Sequence, residues 1–388
     1  MTVKEKIISA FTELYGEGNG VIRVYFAPGR VNLIGEHTDY NNGYVFPCAL
    51  TFGTYLAVRP TNRPFLEFCS HGFEYTAKIP LQSAYLKESS EWVNYPLGII
   101  ETMRQEGKVT GGIQLYFRGD IPSAAGLSSS ASIEMVTAFA LNDVYKWKYT
   151  IPDLIRISKK AENEFIGVNC GIMDMFSIGQ GKSGHAIFLD CGTLNFELVP
   201  ANITGHRLVI INTNKKRGLG DSKYNERVGE CRKAVNYLSK SLNVNSLGEI
   251  SLIDFRQNEH LITDAIIQKR ARHIITENQR VLDAVKALKN NDLSTFGQLM
   301  NDSHFSLRDD YEVTGFELDS LVEIMLQQDG VVGARMTGAG FGGCALAFVD
   351  EHHLEEFLGN VPVAYQNRTG YRAEVYMPEI GDGVKRIA

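Results

Sequence analysis

The stretch Pro28 to Tyr40, PGRVNLIGEHTDY, gathers an arginine, a histidine, two carboxylates, an asparagine and two glycines into thirteen residues. Core packing asks for nothing of the kind. A strand that only fills a sheet alternates apolar and polar residues, whereas here Val31, Leu33 and Ile34 merely anchor a segment of hydrogen-bonding groups. The chemistry suits a polyhydroxylated ligand. Glu36 and Asp39 can accept from vicinal hydroxyls, His37 can donate or accept, and Arg30 offers a planar fork of donors. The competing reading is a solvated turn, because Gly, Asn and Asp are also turn residues. Interleaved apolar residues speak against it, since a surface turn has no use for them.

A second segment, Ile121 to Met135 (IPSAAGLSSSASIEM), is built to meet an anion. Gly126 allows close backbone approach, and Ser128, Ser129 and Ser130 stand where a helix begins, with its free N–H groups and positive dipole end. A plain helix cap would need one serine. Three extend to more donors, and one hydroxyl could ligate a divalent metal. Two other glycine patterns fail. Gly181-Lys182-Ser183 resembles the end of a phosphate loop but has Phe176 where glycine is required, and Gly338, Gly340 and Gly343 precede the strand-like CALAFV rather than a helix. The four glycines between Gly338 and Gly343 still let a backbone lie against something bulky, and a tight hairpin is the alternative. Asp174, in the apolar segment GVNCGIMDMFSI, is costly to bury without a partner or a task. Glu162 on its own reads as a solvated helix charge. Together with the serine loop, Asp174 and Arg30, it completes a set suited to phosphoryl transfer, where positioning and charge neutralisation supply most of the catalysis.

These groups need a scaffold, and 388 residues suggest two domains. Composition is that of an ordinary soluble globular protein, 44% hydrophobic and 22% charged. A net charge of -6 with no basic stripe argues against nucleic acid. The first residues read as an amphipathic helix rather than a signal peptide, and no apolar run is long enough to cross a bilayer. Six cysteines without CxxC spacing suit reduced thiols in a cytoplasmic protein. The pattern predicts a strand over Val21 to Ala27 delivering the Arg30 to Asp39 cluster, then short strands, helices over Glu91 to Gln105, Ser128 to Trp147 and Pro152 to Phe165, and strands ending with Arg207 to Asn212 that close the first half. Beyond residue 204 it predicts a mostly helical half, with strands over Cys344 to Val349 and Tyr371 to Met377 flanking a helix at His353 to Leu358.

GLSSSAS and GARMTGAGFGG resemble the nucleotide loop and C-terminal glycine motif of the GHMP small-molecule kinases, and PGRVNLIGEHTDY resembles the sugar motif of the galactokinases within that family. KAENEFIGVNCGIMD and DSKYNERVGECR also match, so the likeness runs from about Val24 to about Val349. It implies an α/β (α+β) fold of two domains, a ribosomal-protein-like α/β domain over 1–203 and a ferredoxin-like α+β domain over 204–388, with the active site in the cleft between them. The implied activity is ATP-dependent phosphorylation of the anomeric hydroxyl of α-D-galactose, by a cytoplasmic monomer. Carried over residue by residue, Glu36, His37, Thr38, Asp39 and Tyr224 hold the sugar, Asp174 is the base and Arg30 orients it. The loop Ala124, Ala125, Gly126, Leu127, Ser128, Ser129 and Ser130 cradles ATP, Ser70 touches the nucleotide, and Ser130 with Glu162 holds Mg²⁺. Cys170 and Met175 stand where the family usually has Ser and Gln, and the lost amide at 175 is expected to alter the sugar side. A kinase of another sugar such as N-acetylgalactosamine, or a non-catalytic sugar sensor, is the alternative. Ser130, Ala131 and Ser132 are all present, which favours an enzyme.

Overall fold

The computed structural model describes residues 1–18, 20–89, 91–121, 126–215 and 220–388. Its largest sheet has six strands in the order Lys385–Arg386, Arg23–Asn32, Pro47–Pro60, Ile113–Gly119, Phe65–Ser70 and Ala77–Pro80. All neighbours are antiparallel except Ile113–Gly119 with Phe65–Ser70. The helices Glu91–Gln105, Ser129–Tyr145, Ile151–Lys160 and Met173–Gln180 contribute to the same apolar core as this sheet, which includes Leu56, Leu115, Met135, Ile155 and Ile178. Arg23–Asn32 runs past the expected end at Ala27. Pairing with Pro47–Pro60 slips between Pro28 and Arg30 and then resumes, so Arg30 and Asn32 are carried on a strand rather than a loop.

A second sheet of four strands has the order Val331–Thr337, Cys344–Asp350, His206–Asn212 and Glu374–Tyr376. The expectation that Arg207 to Asn212 closes the first half is therefore corrected. That strand lies inside the second sheet, antiparallel to Cys344–Asp350 and to Glu374–Tyr376. Val331–Thr337 was not anticipated, because Gly333 and Arg335 interrupt its apolar pattern. Gly333 is needed there, since a Cβ would collide with the backbone of Gly297 on the helix Leu293–Ser306. The helix expected over His353 to Leu358 runs from Leu354 to Thr369 in spite of Pro362.

A third apolar cluster joins the two halves. Val31, Leu33, Ile34 and Leu127 from the first meet Leu208, Val281, Phe296 and Leu346 from the second. Burying such side chains contributes roughly 1.5–3 kcal/mol each, so the joint is a packed core rather than a loose hinge. Both the Arg30 to Asp39 segment and the serine loop emerge from it.

Candidate active site

Between Leu33 and Tyr44 the chain turns sharply, with Gly35 and His37 both at positive φ, 100° and 65°. Local hydrogen bonds hold that shape. The Thr38 hydroxyl lies 2.9 Å from the Gly35 carbonyl and 2.6 Å from that of Tyr44, and the Asn41 amide donates to the His37 carbonyl. Thr38 is fully buried and spends its hydroxyl on closing the turn, so the structure does not bring it to the cavity. The second half clamps the same turn. Gly35 N–H donates to Glu277 at 2.9 Å, and Gly338 N–H donates to Glu36 at 2.9 Å.

Glu36, His37, Asp39 and Tyr224 share a cavity of about 490 Å³ with Arg30, Asp174, Ser130 and Glu162. Residues 144 positions apart in sequence meet there. Arg30 donates through Nε to Asp174 Oδ1 at 2.8 Å, its Nη2 lies 2.7 Å from the same oxygen, and its Nη1 donates to the Gly126 carbonyl at 2.8 Å. The other oxygen, Oδ2, accepts from the Ser128 hydroxyl at 2.6 Å. A plain cap at Ser128 is thereby excluded, because its side chain makes no capping bond to the helix.

The wall groups are tuned by burial. Asp39 is pushed up to about 6, first by desolvation and then by the charge of Asp174. Its carboxylate lies directly against Gly171, where any Cβ would collide with it. His37 is pushed down to about 3, chiefly by burial and then by His273, so it is neutral at ordinary pH. Its Nε2 faces the Ala339 carbonyl at 3.2 Å and is therefore the donor, which leaves Nδ1 to accept from Tyr40 at 2.9 Å. Both ring nitrogens are engaged. Glu36 is pushed up by burial, against the opposing pull of Arg335 and Arg30.

Glu162 is no solvated helix charge. The helix Ile151–Lys160 widens into a π-turn over Ala161–Ile166, a form frequent at functional sites, and buries the Glu162 side chain on the cavity wall. Its carboxyl is pushed up to about 7 by desolvation first, while hydrogen bonds to Cys170 and Ser130 pull the other way. Elsewhere the serine loop is divided. Ser130 lines the cavity, Ser129 is exposed, Leu127 is buried and its carbonyl accepts the Arg30 N–H at 3.2 Å. Ala124 and Ala125 lie outside the described residues. Gly338, at a φ of 86°, abuts the Gly126 carbonyl, so the two glycine loops touch as close backbone approach requires. Ser70 ends its strand away from the cavity wall. Around Gly181-Lys182-Ser183 the contacts are structural, Gly181 against Ala49 and Ser183 N–H on Asp382.

Three family signatures match in chain order: the galactokinase galactose-binding signature over residues 9–60, the GHMP kinases N terminal domain over 94–182 and the GHMP kinases C terminal over 284–366. The galactokinase of Clostridium acetobutylicum is 51% identical over 94% of each chain, and that of Fusobacterium nucleatum is 48% identical over 99% of each. The chain belongs to the galactokinase family of GHMP kinases. The crystal structure of Lactococcus lactis galactokinase complexed with galactose superposes with a TM-score of 0.96 at 43% identity, covering all of both chains. A mevalonate kinase from Methanococcus jannaschii, 19% identical with a TM-score of 0.66, shares the fold.

Within this galactokinase, the two departures from the usual pattern have different consequences. Met175 is fully buried in the first core and does not line the cavity, so the expected effect on the sugar side is corrected. It follows Asp174 on a helix, and one step of about 100° turns its side chain inward. Cys170 does line the cavity, and its thiol lies 3.2 Å from the Asn163 side-chain oxygen. Burial pushes that thiol well up, so it is not a thiolate.

Sequence reasoning missed several residues behind the wall. Arg335, fully buried, donates to the Asn32 carbonyl at 3.0 Å and lies 3.4 Å from Glu36 and 3.8 Å from Glu277. His37, Tyr40, Tyr311 and Cys231 form one hydrogen-bonded chain across the halves. Glu134, on the helix Ser129–Tyr145, is fully buried with neither carboxyl oxygen hydrogen-bonded. Desolvation, then the charges of Glu162 and Asp174, push it well up. A folded carboxyl raised above its unfolded value favours folding fully below the unfolded pKa, and that contribution is lost as pH rises towards the folded one. Glu134→Gln should therefore stabilise the protein progressively above about pH 4.5, with a slope approaching about 1.4 kcal/mol per pH unit. Thermal melts of both proteins between about pH 5 and pH 8 check this, and a pH-independent difference refutes it.

Proposed function

We propose that this galactokinase transfers the γ-phosphoryl group of ATP to the anomeric hydroxyl of α-D-galactose, giving galactose 1-phosphate and ADP. The observation that carries the reading is Asp174, pinned by Arg30 and Ser128 at the wall of a polar cavity made by the sugar loop. Asp174 takes the anomeric proton as the hydroxyl oxygen attacks phosphorus. Arg30 holds the carboxylate in place and offers positive charge towards the phosphoryl group. Glu36, Asp39 and Tyr224 face the sugar hydroxyls, His37 supplies a neutral wall, and the N-terminal turn of the helix Ser129–Tyr145 faces the phosphates. The proposed division is 1–203 and 204–388, with the last strand, Lys385–Arg386, crossing back to the first sheet.

Ser130 and Glu162 fit a hard divalent cation such as Mg²⁺. Both line the cavity, Glu162 as a buried carboxyl whose raised pKa Ser130 partly offsets, and Mg²⁺ commonly takes one or two protein oxygens together with phosphates and waters. A cation there supplies charge neutralisation on the phosphates. Glu162→Gln is expected to raise the Mg²⁺ concentration needed for half-maximal rate about tenfold, with galactose binding in the absence of nucleotide unchanged. Since Glu162 must lose its proton to ligate, wild-type Mg²⁺ affinity should rise through about pH 7 and that of Glu162→Gln should not. An unaltered Mg²⁺ dependence removes Glu162 from the site.

Among the described residues no helix is long and apolar enough to cross a membrane. We propose that the enzyme acts in the cytoplasm, as a monomer. Coupled ADP release over a panel of hexoses and 2-acetamido hexoses tests the whole reading. Galactose-dependent release is expected, and preference for a 2-acetamido sugar would favour the N-acetylgalactosamine alternative. Binding of galactose and ATP without turnover would make the chain a sensor.

A further inference from the structure

We propose that Ser128, although it stands in the phosphate-loop sequence, is a positioning residue for Asp174 and not a ligand of the nucleotide. Three observations carry this. The Ser128 hydroxyl donates to Asp174 Oδ2 at 2.6 Å. Its backbone is left-handed, φ 63° and ψ 47°, a conformation that non-glycine residues rarely adopt and that clusters where a side chain must be aimed. Ser128 is also buried and absent from the cavity wall, whereas Ser130, two positions on, is part of it.

Counting lone pairs shows what the contact does. A carboxylate accepts about four hydrogen bonds, two on each oxygen. Arg30 crowds Oδ1, donating to it through Nε at 2.8 Å with Nη2 only 2.7 Å away. Ser128 fills one place on Oδ2, and the lone pair left there is the one that does not face the guanidinium. That oxygen is the atom able to receive a proton. Arg30 alone would fix the plane of the carboxylate only loosely, as a hinge about Oδ1. The serine contact completes a three-point hold and decides where the free lone pair is directed. It also ties the loop to the acid, because the loop residue Gly126 accepts from the same arginine at 2.8 Å.

The inference rests on the reading of Asp174 as the proton acceptor. In that step the anomeric O–H bond breaks and its proton passes to Oδ2. The sugar oxygen bonds to the γ-phosphorus, and the bond from that phosphorus to the bridging oxygen breaks, leaving its electron pair on ADP. The Ser128 proton stays on the serine throughout.

The test compares Ser128→Ala, Ser128→Gly, Asp174→Asn and the two Ser128 changes combined with Asp174→Asn, in steady-state and single-turnover kinetics with galactose and ATP. The glycine variant separates the hydroxyl from the backbone, because glycine adopts the left-handed conformation freely. Both single serine variants are expected to lose roughly ten- to a hundredfold in kcat, with KM for ATP and for galactose within about twofold of wild type. In the Asp174→Asn background the serine changes should add nothing further, because the group they position is gone. A tenfold rise in KM for ATP with kcat retained would make Ser128 a nucleotide ligand and overturn the proposal, as would a wild-type kcat in Ser128→Gly. Multiplication of the serine and aspartate losses would do the same. A wild-type chemical step in Asp174→Asn defeats the reading of Asp174 itself. Loss in Asp174→Asn beside full activity in both serine variants defeats only the role given to Ser128.

Discussion

Galactose is expected to be phosphorylated with a kcat/KM about four powers of ten above that of glucose, its epimer at one ring carbon. The size of the effect follows from how little the wall can adjust. Glu36 is tied to Gly338 and Arg335, His37 to Tyr40 and Ala339, and Asp39 is pressed against Gly171. A site of fixed, buried hydrogen-bonding groups rejects a misplaced hydroxyl because one partner is left desolvated and unpaired. A shallow apolar pocket would discriminate by only about a hundredfold. Initial rates for both sugars at subsaturating concentration measure the ratio directly, and comparable values would mean that the polar wall does not read the hydroxyl pattern.

Much of this wall was legible in the sequence because its chemistry is concentrated. Arg30, Glu36, His37 and Asp39 lie within ten residues, and the serines and Asp174 each sit in a segment too apolar to waste a polar group. What escaped were the groups that hold the wall from behind. Arg335 lies in GARMTG, where the glycines draw attention, and only the fold shows that its guanidinium is buried between Glu36 and Glu277. Glu277 and His273 occupy a long, ordinary amphipathic helix, Ala265–Lys289, and nothing local marks them as clamps on the Gly35 and Glu36 backbone. Thr38 was overread for the converse reason. Its place in the motif suggested ligand contact, while its hydroxyl closes the turn.

The same limit explains the elements. A helix with one wet face, Ile151–Lys160 with its π-turn Ala161–Ile166, was found to within a residue at each end of the expected Pro152 to Phe165. Met173–Gln180 was not, because Met173, Met175, Phe176, Ser177 and Ile178 are all buried and leave no contrast for a period to show. Val331–Thr337 was lost to its glycine, which serves close packing on a helix rather than a turn. Periodicity reports contrast with solvent. It fades where an element is covered, as on the elements that carry Asp174 and Arg335, although the covered helix Glu91–Gln105 was found to the residue.

Asp174→Asn is expected to lower kcat by roughly two to four powers of ten while galactose and ATP still bind. The substitution preserves volume and some hydrogen bonding, so Arg30 and Ser128 keep a partner in place and the wall should persist. What is removed is the negative charge and with it the capacity to take a proton. Arg30→Lys should also depress kcat, though less than Arg30→Ala, because lysine restores the charge but not the fork that reaches Asp174 Oδ1 and the Gly126 carbonyl together. The opposing consideration is that phosphoryl transfer through a loose transition state asks little of a base, and positioning alone can support it. Single-turnover phosphorylation by Asp174→Asn separates the two. A slow chemical step with intact binding assigns the proton to Asp174. A step near the wild-type rate would mean that the carboxylate only places the sugar, and that the Arg30 contact serves to neutralise a half-buried charge beside Asp39 rather than to aim a base.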